Sequence, residues 1–153
     1  MVSTDLEGTE LPSGEFSIKD WKAFLWADAT RNEADEFRYD DDARESGAPG
    51  QLVPHTMCQH IVFEATGGID ETMSRVTEDW TSGAALGGLR AEFHAPLQTG
   101  KPLSVEGYIH SVEQKEGSSG PLTIITHVYE VRTQGDERVF DMEADLVLLE
   151  GLS

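Results

Sequence analysis

Apolar positions recur at helical spacing in the middle of the chain, between residues 52 and 68. Met57, Ile61 and Ala65 fall on one stripe, and neighbouring apolar residues widen it until most of the circumference is apolar. The pattern predicts a buried helix that begins after Pro54 and ends at a pair of glycines. Free backbone N–H groups in its first turn attract developing negative charge, so this end is a candidate oxyanion site; plain core packing is the alternative.

The second half of the chain has a different pattern, in which apolar and polar positions alternate. The alternation is clearest over residues 103–109 and 125–131, and it predicts strands with one wet face and one buried face. Turns that contain glycine separate these runs, so we expect an antiparallel meander. The predicted strands cover residues 86–93, 103–112, 122–132 and 139–149.

One buried helix followed by long antiparallel strands implies an α+β architecture, in which the sheet wraps around one long central helix. A curled sheet around a single helix is the hot-dog arrangement. We assign residues 1–13 to a polar N-terminal arm and residues 14–150 to one hot-dog domain. Since an open edge strand and a half-covered helix favour association, we expect a dimer.

A further helix is predicted before the central one, over residues 18–29. Ser17 can cap it, and a stripe formed by Trp21, Phe24 and Leu25 is expected to pack toward the core. Asp28 ends this stripe.

A short acidic turn of helix is predicted over residues 40–45, because carboxylates near a helix start favour the dipole and Gly47 can end it. The acidic connection over residues 69–83 is weakly patterned. Its apolar positions are expected to cover a sheet edge or a pocket mouth, and they are Met73, Val76 and Trp80.

The charge of the chain limits its partners. Its 153 residues include 29 acidic and 11 basic side chains, which give a net charge of -18 and argue against nucleic acid or an anionic membrane surface. An anionic small ligand would need a local basic patch. A surplus of carboxylates also suits a protein that works in concentrated salt, which we state as a hypothesis about habitat. The candidate cations for a patch are Arg31, Arg38, Arg44, Arg90, Lys101 and Lys115.

Cys58 is the only cysteine in the sequence, which excludes an internal disulfide and a cysteine-based zinc site. The five histidines lack close metal spacing, so we expect no metal and no cofactor. The sequence has no basic, apolar leader and no apolar run of membrane-spanning length, so we expect a cytoplasmic protein.

Three stretches of the sequence resemble the MaoC-like branch of hot-dog proteins, which are hydratases and dehydratases of acyl thioesters. They are the loop over residues 29–50, the helix start Leu-Val-Pro-His-Thr-Met at residues 52–57, and Glu-Phe-His-Ala-Pro-Leu at residues 92–97, followed by Gly100. The resemblance extends from about Phe16 to Leu149. It implies a thioester of coenzyme A or of an acyl carrier protein as ligand.

The family's catalytic Asp and His, from a D-x-N-P-x-H loop, fall on Asn32 and Phe37 of this chain. Hydration of an enoyl thioester needs one group that takes a proton from water and another that delivers one to the α-carbon. Neutral Asn is no base, and Phe transfers no proton. The resemblance therefore implies that these two positions are inactive here.

The helix start keeps more of the family pattern, A-H-G-M. His55 matches its histidine, and Pro54 and Thr56 replace the alanine and the glycine. The backbone N–H of Thr56 still allows an oxyanion contact to a thioester carbonyl, so the resemblance implies substrate binding by Pro54, Thr56 and Met57. His55 either orients the thioester or a water, or serves as a structural hydrogen-bonding residue. Phe37 and Met57 either line an acyl tunnel or pack in the core.

The loop over residues 32–42 resembles that of non-catalytic subunits in heteromeric MaoC-like dehydratases, in which one subunit shapes the acyl tunnel and the other brings Asp and His. The resemblance implies an acyl-binding subunit, in a heterodimer with a dyad-bearing hot-dog partner or in a homodimer.

Two alternatives remain open at the level of sequence. The chain could be a self-sufficient hydratase that uses relocated acids such as Asp28, Asp35 or Glu36 with His55, or it could be a hot-dog thioesterase. Cys58 is more typical of a small buried residue than of a nucleophile, which would need a nearby base.

Overall fold

The first half of the chain folds into short helices and turns. The computed structural model describes residues 4–76 and 83–149. In chain order, the first elements are strand β1 (Gly14–Phe16) and helices α1 (Asp20–Ala29), α2 (Asp40–Glu45), α3 (Cys58–Ala65) and α4 (Ile69–Ser74). Single 3-10 turns cover Thr4–Leu6, Asp35–Phe37 and His55–Met57.

Four long strands make up the second half: β2 (Ala84–Phe93), β3 (Leu103–Gly117), β4 (Gly120–Thr133) and β5 (Arg138–Leu149). Each predicted strand is found, and each extends beyond its predicted bounds, because backbone pairing continues past the apolar run. With β1 they form one antiparallel sheet in the order β1-β3-β4-β5-β2. The predicted α+β hot-dog architecture is confirmed.

The prediction of a simple meander is wrong for the first long strand. Strand β2 pairs with β5, with Phe93 opposite Phe140, and so lies at the far side of the sheet from β3. Only β3, β4 and β5 follow one another as hairpins. Alternation shows which face of a strand is buried but carries no information about its neighbour.

The helix at the centre is shorter than the sequence suggested. A 3-10 turn over His55–Met57 leads directly into α3, and Gly67 and Gly68 end the helix with positive φ values of 85° and 90°. Cys58, Ile61 and Val62 face the core, as the apolar stripe predicts. The chain then forms α4, where a weakly patterned connection was expected.

The buried face of α1 was predicted wrongly. The helix begins after Lys19, and no side chain caps it, so Ser17 has no capping role. Trp21 and Leu25 are 53% and 54% exposed. Ala23 and Ala27 face the core instead, because small side chains let α1 approach the domain closely.

The segment over residues 69–83 was expected to cover a sheet edge or a pocket mouth, but two of its apolar residues belong to the core. Met73 and Val76 are buried and belong to the core cluster, whereas Trp80 lies outside the described residues. Residues 8–11 run along β3, with Glu10 bridged to Tyr108 and the Leu11 N–H bonded to the Gly107 carbonyl.

Candidate functional site

Backbone hydrogen bonds to two other segments hold the residues just before the His55–Met57 turn in place. The Val53 N–H donates to the Leu97 carbonyl (2.7 Å), and the Leu52 N–H donates to the Glu36 carbonyl (2.9 Å). Pro54 and Met57 are buried beneath the turn, while His55 and Thr56 are exposed. The N–H groups of His55 and Thr56 open the turn, where a helix has no internal acceptor for them, so they remain available to a ligand.

Thr56 is anchored to α1. The indole Nε1–H of Trp26 donates to Thr56 Oγ1 over 2.9 Å. The same indole stacks on His60, with ring centroids 6.3 Å apart and an interplanar angle of 26°. These two contacts fix the position of the turn relative to the C-terminal half of α1.

His55 is anchored to the sheet. Its imidazole stacks on Phe93 with ring centroids 3.7 Å apart and an interplanar angle of 2°, and Phe93 contacts Phe140 at 5.1 Å. Partial burial lowers the pKa of His55, so the ring is neutral at physiological pH. A neutral imidazole can orient a carbonyl or a water by a hydrogen bond, without adding charge.

Asn32 is occupied by local structure. Its Oδ1 accepts the Ala34 N–H (3.2 Å), and its carbonyl accepts two bonds from the Arg38 guanidinium (3.0 and 3.2 Å). Arg38 also pairs with Asp28 over 3.4 Å. These bonds hold the loop in a turn, and nothing in them makes Asn32 a proton acceptor.

Phe37 lies in the same loop, half-buried, at the end of a 3-10 turn. Its carbonyl accepts Gln51 Nε2–H at 3.0 Å, and Gln51 is itself buried just before the His55–Met57 turn. The structure thus brings Asn32 and Phe37 into a loop bonded to the segment that carries Pro54, His55, Thr56 and Met57.

The alternative acids sit in ordinary surface environments. The Asp28 side chain is 64% exposed and paired with Arg38, Asp35 is exposed, and Glu36 is half-buried.

Burial raises the pKa of the Cys58 thiol, which keeps it protonated and unreactive. Among residues 4–76 and 83–149, no group of three or more His, Cys, Asp and Glu side chains could hold a metal ion.

Trp26 and Phe93 were not singled out from the sequence, although both anchor the turn. Trp26 stands one position away from the misassigned apolar stripe of α1, and Phe93 belongs to the quoted Glu-Phe-His-Ala-Pro-Leu segment. A polar contact between residues 30 positions apart leaves no local pattern in the sequence.

A second carboxylate and imidazole pair lies on the opposite face of the sheet. His94 Nε2 contacts Asp141 Oδ2 at 2.9 Å, and Arg138 contacts the same oxygen. Together these partners hold the pKa of Asp141 below its usual range, against the opposing effect of burial. Because strand side chains alternate, Asp141 points away from the face that carries Phe140 and the His55 stack.

Three cavities lie away from the His55–Met57 turn. One of about 390 Å³ lies between the N-terminal segment and β3, beside Glu10 and Tyr108. Two others, of about 240 and 320 Å³, are lined by residues that include Arg90 and Glu143. None of these three is lined by Thr56.

The sheet curled around α3, with exposed amides at the start of the helical segment, defines a hot-dog protein. The sequence model of the family described as "FAS1-like, dehydratase domain region" matches residues 6–142. The chain belongs to this family, within the MaoC-like hot-dog hydratases and dehydratases.

Relatives agree with this assignment. Mesaconyl-C(4)-CoA hydratase of Chloroflexus aurantiacus is 40% identical over 63 residues, which are 41% of this chain and only 22% of that protein. The HadBC (3R-hydroxyacyl-ACP dehydratase) complex of Mycobacterium tuberculosis contains a similar chain (TM-score 0.78, 19% identity, 94% of this chain and 98% of that chain). The ChsH1-ChsH2 complex of the same organism also contains one (TM-score 0.76, 18% identity, 93% and 85%). At these identities, the structures show the shared fold.

No helix in the described ranges is long and apolar enough to cross a membrane.

Proposed function

We propose that this chain is the acyl-binding subunit of a heteromeric enoyl-thioester hydratase or 3-hydroxyacyl-thioester dehydratase. The observation that carries the proposal is the contrast between two neighbouring segments. The His55–Met57 turn presents free amides and is anchored by Trp26 and Phe93, whereas Asn32 and Phe37 have no group that transfers a proton.

In this proposal, the thioester carbonyl accepts the Thr56 N–H and lies beside the neutral His55 ring. The amide stabilises the negative charge that develops on the carbonyl oxygen when a nucleophile attacks the conjugated bond. A partner subunit supplies the base that activates water and the acid that protonates the α-carbon. That partner is a hot-dog subunit with an intact Asp and His.

The open edge of the sheet offers a surface for such a partner. Strand β2 pairs on one side only among the described strands, and it exposes Leu86 (44%) and Leu89 (38%). Exposed apolar residues on an unpaired strand favour pairing with another chain. The relatives HadBC and ChsH1-ChsH2 are both complexes, which supports a heteromer over a homodimer. We place the assembly in the cytoplasm.

The test compares the purified chain with and without a companion hot-dog protein that carries the Asp and His loop. Crotonyl-CoA reports hydration through loss of the conjugated double bond, and butyryl-CoA reports hydrolysis through free thiol. We expect neither signal from this chain alone, and hydration by the mixture above the rate of the companion alone.

Two outcomes would contradict the proposal. Hydration by the chain alone would establish a self-sufficient enzyme, and Asp28→Asn and Asp35→Asn would then locate its acid. Release of thiol from butyryl-CoA would establish a thioesterase.

A further inference from the structure

Three side chains sealed inside the core each carry a polar atom that has no hydrogen-bond partner among the described residues. His127 and Tyr129 project from the inner face of β4 and are 1% and 0% exposed, and Thr72 of α4 is 0% exposed. His127 Nε2, the Tyr129 hydroxyl and Thr72 Oγ1 have no partner within the described structure. Buried polar groups in native proteins almost always bind protein, water or ligand, so this trio calls for a polar occupant.

The three groups face a common region. His127 and Tyr129 are two residues apart on one strand face, with ring centroids 6.3 Å apart. The Thr72 hydroxyl lies close enough to Tyr129 to act weakly on its pKa, yet the two oxygens do not reach hydrogen-bond geometry. On the neighbouring strands, Gly107 is opposite Tyr129 and its missing side chain makes space for the Tyr129 ring, while the small residue Ala144 is opposite His127.

The charge state of the trio limits what it can bind. Burial lowers the pKa of His127 to about 4 and raises the pKa of Tyr129 to about 12, so both are neutral at physiological pH. The neutral His127 imidazole and the hydroxyls of Tyr129 and Thr72 can form hydrogen bonds with an uncharged hydroxyl or carbonyl group of a ligand. A carboxylate would need a cation beside it, and the trio supplies none.

The trio belongs to the same sheet face as the proposed thioester site. Phe93, on which His55 stacks, is opposite Phe140 on β5, and Phe140 is opposite Val131 on β4. Tyr129 lies two residues from Val131 on that face. Two strand spacings and two residues along a strand place Tyr129 about 12 Å from Phe93, measured between Cα atoms. An acyl chain of roughly four to six carbons, together with the inward reach of the side chains, spans such a distance.

We propose that Thr72, His127 and Tyr129 receive the hydroxyl or carbonyl substituent of a short acyl chain whose thioester lies at Thr56. This inference rests on the proposed function. It makes the chain selective for polar-substituted acyl groups over plain alkyl groups, because an alkyl chain would leave the buried groups unpaired.

Isothermal titration of the full chain with coenzyme A thioesters tests the inference. Each ω-hydroxyacyl thioester of about four to six carbons is paired with the alkanoyl thioester that has a methyl group in place of the hydroxyl, so that size is matched. We expect the best hydroxyacyl thioester to bind at least about tenfold more tightly than its alkyl match. Tyr129→Phe should remove most of this preference, and His127→Leu should reduce it as well.

The variants separate binding from folding. Tyr129→Phe deletes an unpartnered hydroxyl, so its melting temperature without ligand should equal or exceed that of the wild type. Tyr108→Phe removes the hydroxyl of a 39% exposed tyrosine on β3 and should change neither stability nor preference.

Different outcomes of the titration would overturn this inference and the proposed function. If no acyl thioester binds with or without the companion subunit, the proposed function fails and this inference fails with it. If thioesters bind but matched pairs bind equally, or Tyr129→Phe keeps the wild-type preference, the trio holds only water and this inference alone is overturned.

Discussion

The indole N–H of Trp26 donates to Thr56 Oγ1 over 2.9 Å, across 30 positions of sequence. This bond links α1 to the turn whose amides point at the proposed thioester carbonyl. Helix α1 contributes to the site through this indole, while its neighbours Trp21 and Leu25 face solvent. A helix that the apolar pattern assigned to core packing therefore has a positioning role.

Trp26→Phe should weaken the site more than the fold. Loss of one partly exposed hydrogen bond should lower the free energy of unfolding by about 1 kcal/mol, and a looser Thr56 should weaken thioester binding severalfold. Urea unfolding and calorimetric titration measure the two effects. Thr56→Val removes the acceptor and keeps the backbone N–H, so the double variant should be no weaker than either single variant. Trp21→Phe, on the exposed face of α1, is the matched control, and additive losses would refute the link.

Gly107→Ala should destabilise the core. A Cβ at Gly107 would lie 2.5 and 2.8 Å from the ring carbons Cδ1 and Cε1 of Tyr129, and the packed ring has no room to move. Overpacking of this kind costs about 1–3 kcal/mol, measured by urea unfolding. Gly135→Ala is the control, because its nearest contact would be Thr133 Oγ1 at 3.7 Å. Equal stability of the two variants would show that the Tyr129 ring is not fixed.

The structural elements that were predicted from the sequence are those that depend on a local pattern of residues. Apolar runs separated by turns that contain glycine located all four long strands, and acidic residues before Gly47 located α2 at Asp40–Glu45 with its observed bounds. The apolar pattern and Pro54 placed the first turn of the central helix at His55–Met57, which the structure shows as a 3-10 turn before α3.

Relationships between distant segments were not predictable. The pairing of β2 with β5 leaves no mark on either strand alone. The contacts of His55 with Phe93, and of Trp26 with Thr56, arise only when the sheet closes on the helix. His127 was visible as part of an alternating run, but the pattern did not show that its ring would be buried without a partner for Nε2.

The buried His127 should make stability depend on pH between about 4 and 6.5. Its pKa falls from 6.5 to about 4 on folding, so in this window the unfolded chain binds more protons than the folded chain. The contribution of neutral His127 to the free energy of unfolding is therefore complete above pH 6.5. It is lost as the pH falls toward 4, and the loss is about 2 kcal/mol at pH 5. His127→Leu should lose less stability than the wild type between about pH 7.5 and pH 5 in urea unfolding. Parallel losses in the two proteins would mean that this ring titrates normally.

Salt should stabilise the chain. Its 29 acidic side chains outnumber the 11 basic ones, so many carboxylates repel one another without a cation to pair with. Screening in about 1 M KCl shortens the range of this repulsion to a few ångströms. We expect the melting temperature to rise between low and molar KCl. A melting temperature that stays level or falls would remove the hypothesis of a high-salt habitat.

Leu89→Lys should prevent the chain from joining its partner. Leu89 is 38% exposed on β2, which has an unpaired edge among the described strands, and a charge there would be costly to bury against another chain. Light scattering after size-exclusion chromatography should show a lower mass than the wild type, alone or with the companion hot-dog protein. Tyr108→Lys is the matched control, because it places the same charge at a 39% exposed residue in the interior of the sheet. If Tyr108→Lys dissociates the assembly and Leu89→Lys leaves it intact, the partner binds another surface.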